Sequence, residues 1–105
     1  TAAPALPEGV VMQMDGQGDG EENAWLGCHF ILNEDGTFQL TWDYNAENSG
    51  IEGDKGTWEQ GEDGTITMTG QNTYSATSTD GTTYTVPVQN AQTGINCTAT
   101  GIFQG

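Results

Sequence analysis

Thr37-Phe38-Gln39-Leu40-Thr41-Trp42-Asp43-Tyr44 alternates without a fault: Phe38, Leu40, Trp42 and Tyr44 fall on one parity, and Thr37, Gln39, Thr41 and Asp43 on the other. Period-two alternation is the signature of a strand with one wet and one buried face, because successive side chains leave a pleated strand in opposite directions. Asp35-Gly36-Thr37 stands immediately before it, and the same three residues return as Asp63-Gly64-Thr65 and Asp80-Gly81-Thr82. Asp-Gly supplies the positive φ angles of tight hairpins, so each copy reads as a hairpin connection between β-forming segments.

Outward from this centre the same pattern holds. Trp25 to Leu32 sets Leu26, Cys28, Phe30 and Leu32 against Trp25, Gly27, His29 and Ile31; Lys55 to Gln60 holds Trp58; Thr65 to Gly70 alternates Ile66 and Met68 with threonines. Tyr74 to Thr79 and Thr82 to Gln89 form a further hairpin, with Pro87 marking an edge, since it cannot donate to a ladder. Val10 to Met14 and Ile95 to Phe103 complete about eight strands and no substantial helix. The expected fold is an all-β antiparallel up-and-down barrel or sandwich. The barrel is favoured because hairpin signals outnumber long crossovers. The Pro- and Ala-rich residues 1–8 read as a flexible arm, and 9–105 as one β domain.

Charge excludes several functions. Fifteen Asp or Glu residues stand against one cation, Lys55, for a formal charge of −14. Neutralising phosphates takes several clustered cations, which argues against nucleic acid and anionic membranes. No run approaches the ~18 apolar residues of a membrane span.

Cys28 and Cys97 share an inward parity, and a bridge between them would close a loop of about seventy residues, worth roughly 4 kcal/mol by loop entropy. That reading expects a disulfide and an oxidising, extracellular or cell-surface location, the alternative being two buried free thiols. The small residues of the opening stretch, Thr1 to Pro7, suit a spacer behind an export signal or a lipid anchor.

Four groups could carry chemistry. Asp15-Gly16-Gln17-Gly18-Asp19-Gly20-Glu21-Glu22 opens like a calcium loop, with Asp15, Asp19 and Glu21 as oxygen ligands, although Leu26 stands where a bidentate Glu is needed; otherwise it is a flexible acidic loop. Asp43, Glu47, Glu52 and Asp54 bracket a Gly-containing loop, and a pair such as Asp43 and Glu52 could serve a carboxylate-dependent hydrolase. His29 is the sole histidine, so neither a histidine metal cluster nor a convincing nucleophile triad can form. Trp25, His29, Trp42 and Tyr44 are candidate ligand-binding residues, with Trp25 the best candidate for an exposed ring.

Leu32-Asn33-Glu34-Asp35-Gly36-Thr37-Phe38, then Gly56-Thr57-Trp58, then Glu62-Asp63-Gly64-Thr65-Ile66-Thr67-Met68 resembles small secreted bacterial lipocalin-like domains, especially those of gut Firmicutes lipoproteins. The resemblance implies a barrel and export. The leading expectation for function is an extracellular, non-enzymatic binding domain for a glycan or a small apolar molecule, with no cofactor beyond a calcium possibility at the acidic loop. Two others stand beside it: the hydrolase, and a self-assembling surface subunit whose first strand adds to a neighbouring copy's sheet.

Overall fold

The computed structural model describes residues 8–45 and 47–104, so most of the expected arm, residues 1–7, lies outside the described residues. Eight antiparallel strands form one sheet: β1 Val10–Gly18, β2 Gly27–Asn33, β3 Thr37–Asp43, β4 Ile51–Gln60, β5 Ile66–Thr69, β6 Thr73–Ala76, β7 Thr83–Gln89 and β8 Asn96–Phe103. The sheet order is β6-β5-β4-β3-β2-β1-β8-β7. Each strand follows its chain neighbour, and β8 returns to β1. The remaining edges, β6 and β7, meet through one bridge, Thr77 to Thr85, whose amides donate to each other's carbonyls at 3.0 and 2.9 Å. The result is a nearly closed up-and-down barrel. The only helical element among the described residues is a single 3₁₀ turn, Glu21–Asn23.

Side-chain parity sorts the strands as the alternation requires. Met12, Met14, Cys28, Phe30, Leu32, Phe38, Leu40, Trp42, Ile66, Met68, Tyr84, Val86, Val88, Cys97 and Ala99 face inward and are buried. Phe30 and Phe38 meet Tyr74 edge to face, and Phe103 meets Trp58 and Tyr84 in the same way. These side chains form one apolar cluster in the barrel interior.

The up-and-down path puts alternate connections at the same end. The three Asp-Gly-Thr turns, joining β2–β3, β4–β5 and β6–β7, therefore share one end of the barrel. Only the glycines adopt positive φ, at 90°, 90° and 80° for Gly36, Gly64 and Gly81; no non-glycine among the described residues does. The aspartates act differently from the expectation. Each accepts from the amide two residues on, Asp35 from Thr37 at 3.0 Å, Asp63 from Thr65 at 3.0 Å and Asp80 from Thr82 at 2.8 Å. This is the Asx-turn chemistry for which Asp is favoured in turns. The opposite end carries the connections 19–26, 44–50, 70–72 and 90–95, the first two being the longest between strands.

Three expectations need correction. The cysteines are free thiols, not a disulfide. Both face inward as parity requires, but β1 runs between their strands: Cys28 pairs with Gly16, and Cys97 with Gly18. Inside the curved wall the two thiols are hydrogen-bond neighbours, yet they are not at disulfide distance. Secondly, the acidic segment is only partly a loop, since Asp15 to Gly18 extend β1; a Cβ at Gly16 would lie 1.9 Å from the Thr98 carbonyl oxygen, so only glycine lets β8 approach there. Thirdly, within its own chain β1 pairs with β2 and, from Met12 on, with β8, so addition of Val10 to Met14 to another copy's sheet would have to displace one of these neighbours.

Candidate functional site

The loop end of the barrel gathers most of the residues singled out above, and it divides them into two neighbouring groups. On the outer face, Asp15 of β1, His29 of β2 and Asp43 of β3 lie side by side. Asp15 pairs directly with His29 across the ladder. Asp43 stands opposite Gly27, and the missing side chain there leaves room for the imidazole to reach it diagonally. His29 Nδ1 is 2.6 Å from Asp15 Oδ1, and Nε2 is 2.5 Å from Asp43 Oδ2. An ionised carboxylate can only accept, so in the protonated imidazolium both ring nitrogens can donate to these two partners at once. Partial burial works against that charge, but the hydrogen bonds and charges of Asp15 and Asp43 outweigh it and raise the His29 pKa above its usual 6.5. Asp43 also accepts from the Gly50 amide at 2.7 Å; that bond, with the His29 contact, holds its carboxyl below the usual range.

Trp25 lies beside this trio. Its neighbour Leu26 plugs the barrel, fully buried, so Trp25 is turned outward and is 53% exposed. It lines a shallow groove with Asp15, Gln17, Gly27, His29 and Asp43. Asp15 is 54% exposed there, leaving its second oxygen open to solvent.

The second group sits at the barrel mouth. Trp42 points inward and is 5% exposed, so it is separated from Trp25 and His29 by the barrel wall. Tyr44, just past β3, accepts from the Asn90 side-chain amide at 3.0 Å. Asn90 is itself buried, with Oδ1 accepting from the Gln92 and Thr93 amides at 2.9 Å each, and so braces the 90–95 loop against the 44–50 loop.

The remaining candidates do not assemble. Among the described residues, no group of three or more His, Cys, Asp or Glu side chains could hold a metal ion. Asp15 is committed to His29, Asp19 receives the Thr98 hydroxyl at 3.4 Å, and Glu21 sits exposed in the 3₁₀ turn. The loop carboxylates are equally dispersed. Glu52 faces Lys55 at 3.6 Å, while Asp54 is buried. Burial alone would raise the Asp54 pKa, but the amides of Gln71, Asn72 and Lys55 and the Tyr74 hydroxyl all donate to its carboxylate and lower it. Asp54 thus ties the β5–β6 turn to β4. With Asp43 and Asp54 both shifted downward, neither has the raised pKa of a catalytic acid.

Cross-strand placement was the missing signal. His29 and Asp43 are fourteen residues apart, as are His29 and Asp15, and only strand register brings them together. Among the described residues no helix is long and apolar enough to cross a membrane. No protein-family model, curated protein or solved structure matches the chain.

Proposed function

We propose that this protein is a non-enzymatic binding domain acting outside the cell, and that it takes a glycan on the loop end of its barrel. The observation that carries the reading is the exposed Trp25 ring beside the Asp15–His29–Asp43 trio. A sugar ring presents an apolar C–H face and a rim of hydroxyls. The indole offers a flat surface for the first, and the open oxygen of Asp15 an acceptor for the second. Contacts with both nitrogens of His29 hold the two carboxylates in place, so little ordering remains to be done on binding. The filled interior favours this surface site over a small apolar molecule held inside the barrel. The wide excess of carboxylates and the lipocalin-like pattern of the turns support export, to which the free thiols add nothing.

A panel of neutral oligosaccharides titrated against tryptophan fluorescence tests the reading. At least one should change the emission, and Trp25→Ala should weaken that ligand about tenfold, the equivalent of ~1.4 kcal/mol of stacking. A flat response to the whole panel, or undiminished binding by Trp25→Ala, would overturn it.

A further inference from the structure

We propose that the recess at the barrel mouth is a subsite for an acetamido group, the N-acetyl substituent of an amino sugar; the inference rests on the glycan reading and extends it to a particular substituent. The recess has a volume of about 160 Å³ and is walled by Trp42, Tyr44, Ile51, Glu52, Asn90 and Ala91. Such a space suits one substituent or part of one ring, not an oligosaccharide.

The indole N–H of Trp42 lies against Gly53, which also lines the recess. The corresponding group of Trp58 donates to the Asn33 carbonyl at 2.8 Å, whereas that of Trp42 meets no acceptor among the described residues. No sealed polar side-chain atom among those residues lacks a partner. The Trp42 N–H therefore keeps access to the opening although its residue is 95% buried, that is 5% exposed. Open to the recess, this donor is met by water in the free protein, and a ligand acceptor would take that water's place.

The backbone preserves this arrangement. Leu40 pairs with Asp54 and Thr41 with Glu52, so Gly53 is the extra residue of a β-bulge. A Cβ at Gly53 would lie 2.3 Å from Trp42 Nε1. Any other residue there would displace the indole.

A second donor stands close by. The Tyr44 hydroxyl accepts from Asn90, and its own proton has no acceptor among the described residues. Two donors on one recess call for an oxygen with two lone pairs, as in a carbonyl. Glu52 on the wall and the net charge of −14 oppose carboxylate or phosphate oxygens and favour a neutral one. Ile51, 43% exposed, and Ala91 provide apolar surface for a methyl, while Glu52 can accept an amide N–H. Carbonyl, methyl and N–H together make an acetamido group. Asp43, between Trp42 and Tyr44 in sequence, belongs to the Trp25 groove, so one glycan could engage both places.

The test is a ¹H–¹⁵N spectrum of the three indole N–H groups of the full chain, titrated separately with N-acetylglucosamine and with glucose. Trp25→Phe and Trp42→Phe serve to assign the signals. N-acetylglucosamine should move the Trp42 signal downfield to saturation, and glucose should leave it in place. Tyr44→Phe, a change that spares the core, should weaken the N-acetylglucosamine response about fivefold without altering that to glucose. A Trp42 signal that stays still up to about 50 mM, well above the ~1 mM range of weak binding, would overturn the proposal. So would equal movement with both sugars. The Trp25 signal reports the outer groove independently: its failure to respond to either sugar would count against the glycan site there, whatever Trp42 does.

Discussion

His29 shows how one residue acquires a role from its neighbours. Alone on a strand it would be an ordinary surface imidazole. Between Asp15 and Asp43 it becomes a link among three strands whose charged form is favoured. The sign of its pH dependence follows from the shifts. A His29 pKa raised on folding contributes stability fully below ~6.5, and that contribution is lost as pH rises through the folded value. Asp43, held below its usual 3.8, contributes above that value, and its share is lost as pH falls through the folded pKa. His29→Gln should therefore cost most near pH 5–6, about 1 kcal/mol after allowing for the partial exposure of all three groups, with the deficit shrinking toward alkaline pH. Urea denaturation of both proteins across that range measures it. A deficit that is flat, or that grows above pH 7, would contradict the charged-imidazole account.

At the scale of elements, alternation made the strands legible. Phe38, Leu40 and Trp42 face the core as their parity requires, and the Asp-Gly-Thr triplets locate three of the connections. The limits of legibility have physical causes. β4 begins at Ile51, earlier than Lys55, because the Gly53 bulge breaks the period on which the reading depends. Asp15 to Gly18 resemble a loop in composition, yet β1 continues through them because glycine permits close approach by β8. The cysteines show what parity omits: it reports which way a side chain points but not how many strands intervene. Among the ligand candidates, Trp25 and His29 were visible as outward-facing residues and Trp42 as an inward-facing one, so their division follows from parity. The bulge itself is testable. Gly53→Ala should lower stability by roughly 1–3 kcal/mol, as overpacking does, and should shift the Trp42 indole signal while leaving that of Trp58 in place. A wild-type melting temperature and an unmoved Trp42 signal would refute the close contact.

For the molecule as a whole, the two ends of the barrel are chemically distinct. One is sealed by three short turns whose aspartates satisfy local amides. The other bears the two longest connections between strands, the exposed indole, the imidazole between its two carboxylates and the mouth recess. Charge is a second property of the whole. With one Lys and one His, few of the fifteen carboxylates can be paired, and Lys55 is spent on Glu52. Self-repulsion should lower stability at low ionic strength, and added salt, by shortening the Debye length from about 30 Å at 0.01 M to 8 Å at 0.15 M, should relieve it. The melting temperature is expected to rise across that interval. A fall or no change would mean that repulsion among these carboxylates is not a significant cost.

The central claim is that ligands meet this barrel on the outside of its loop end and at its mouth, and not within its interior. Chemical-shift mapping with any oligosaccharide that perturbs the tryptophan emission tests this most directly. The account predicts perturbations concentrated at Trp25, Gly27, His29 and Asp43, with the methyl groups of Met12, Met14 and Met68 unmoved. Perturbation centred on those three methionines, with the Trp25 groove silent, would contradict it.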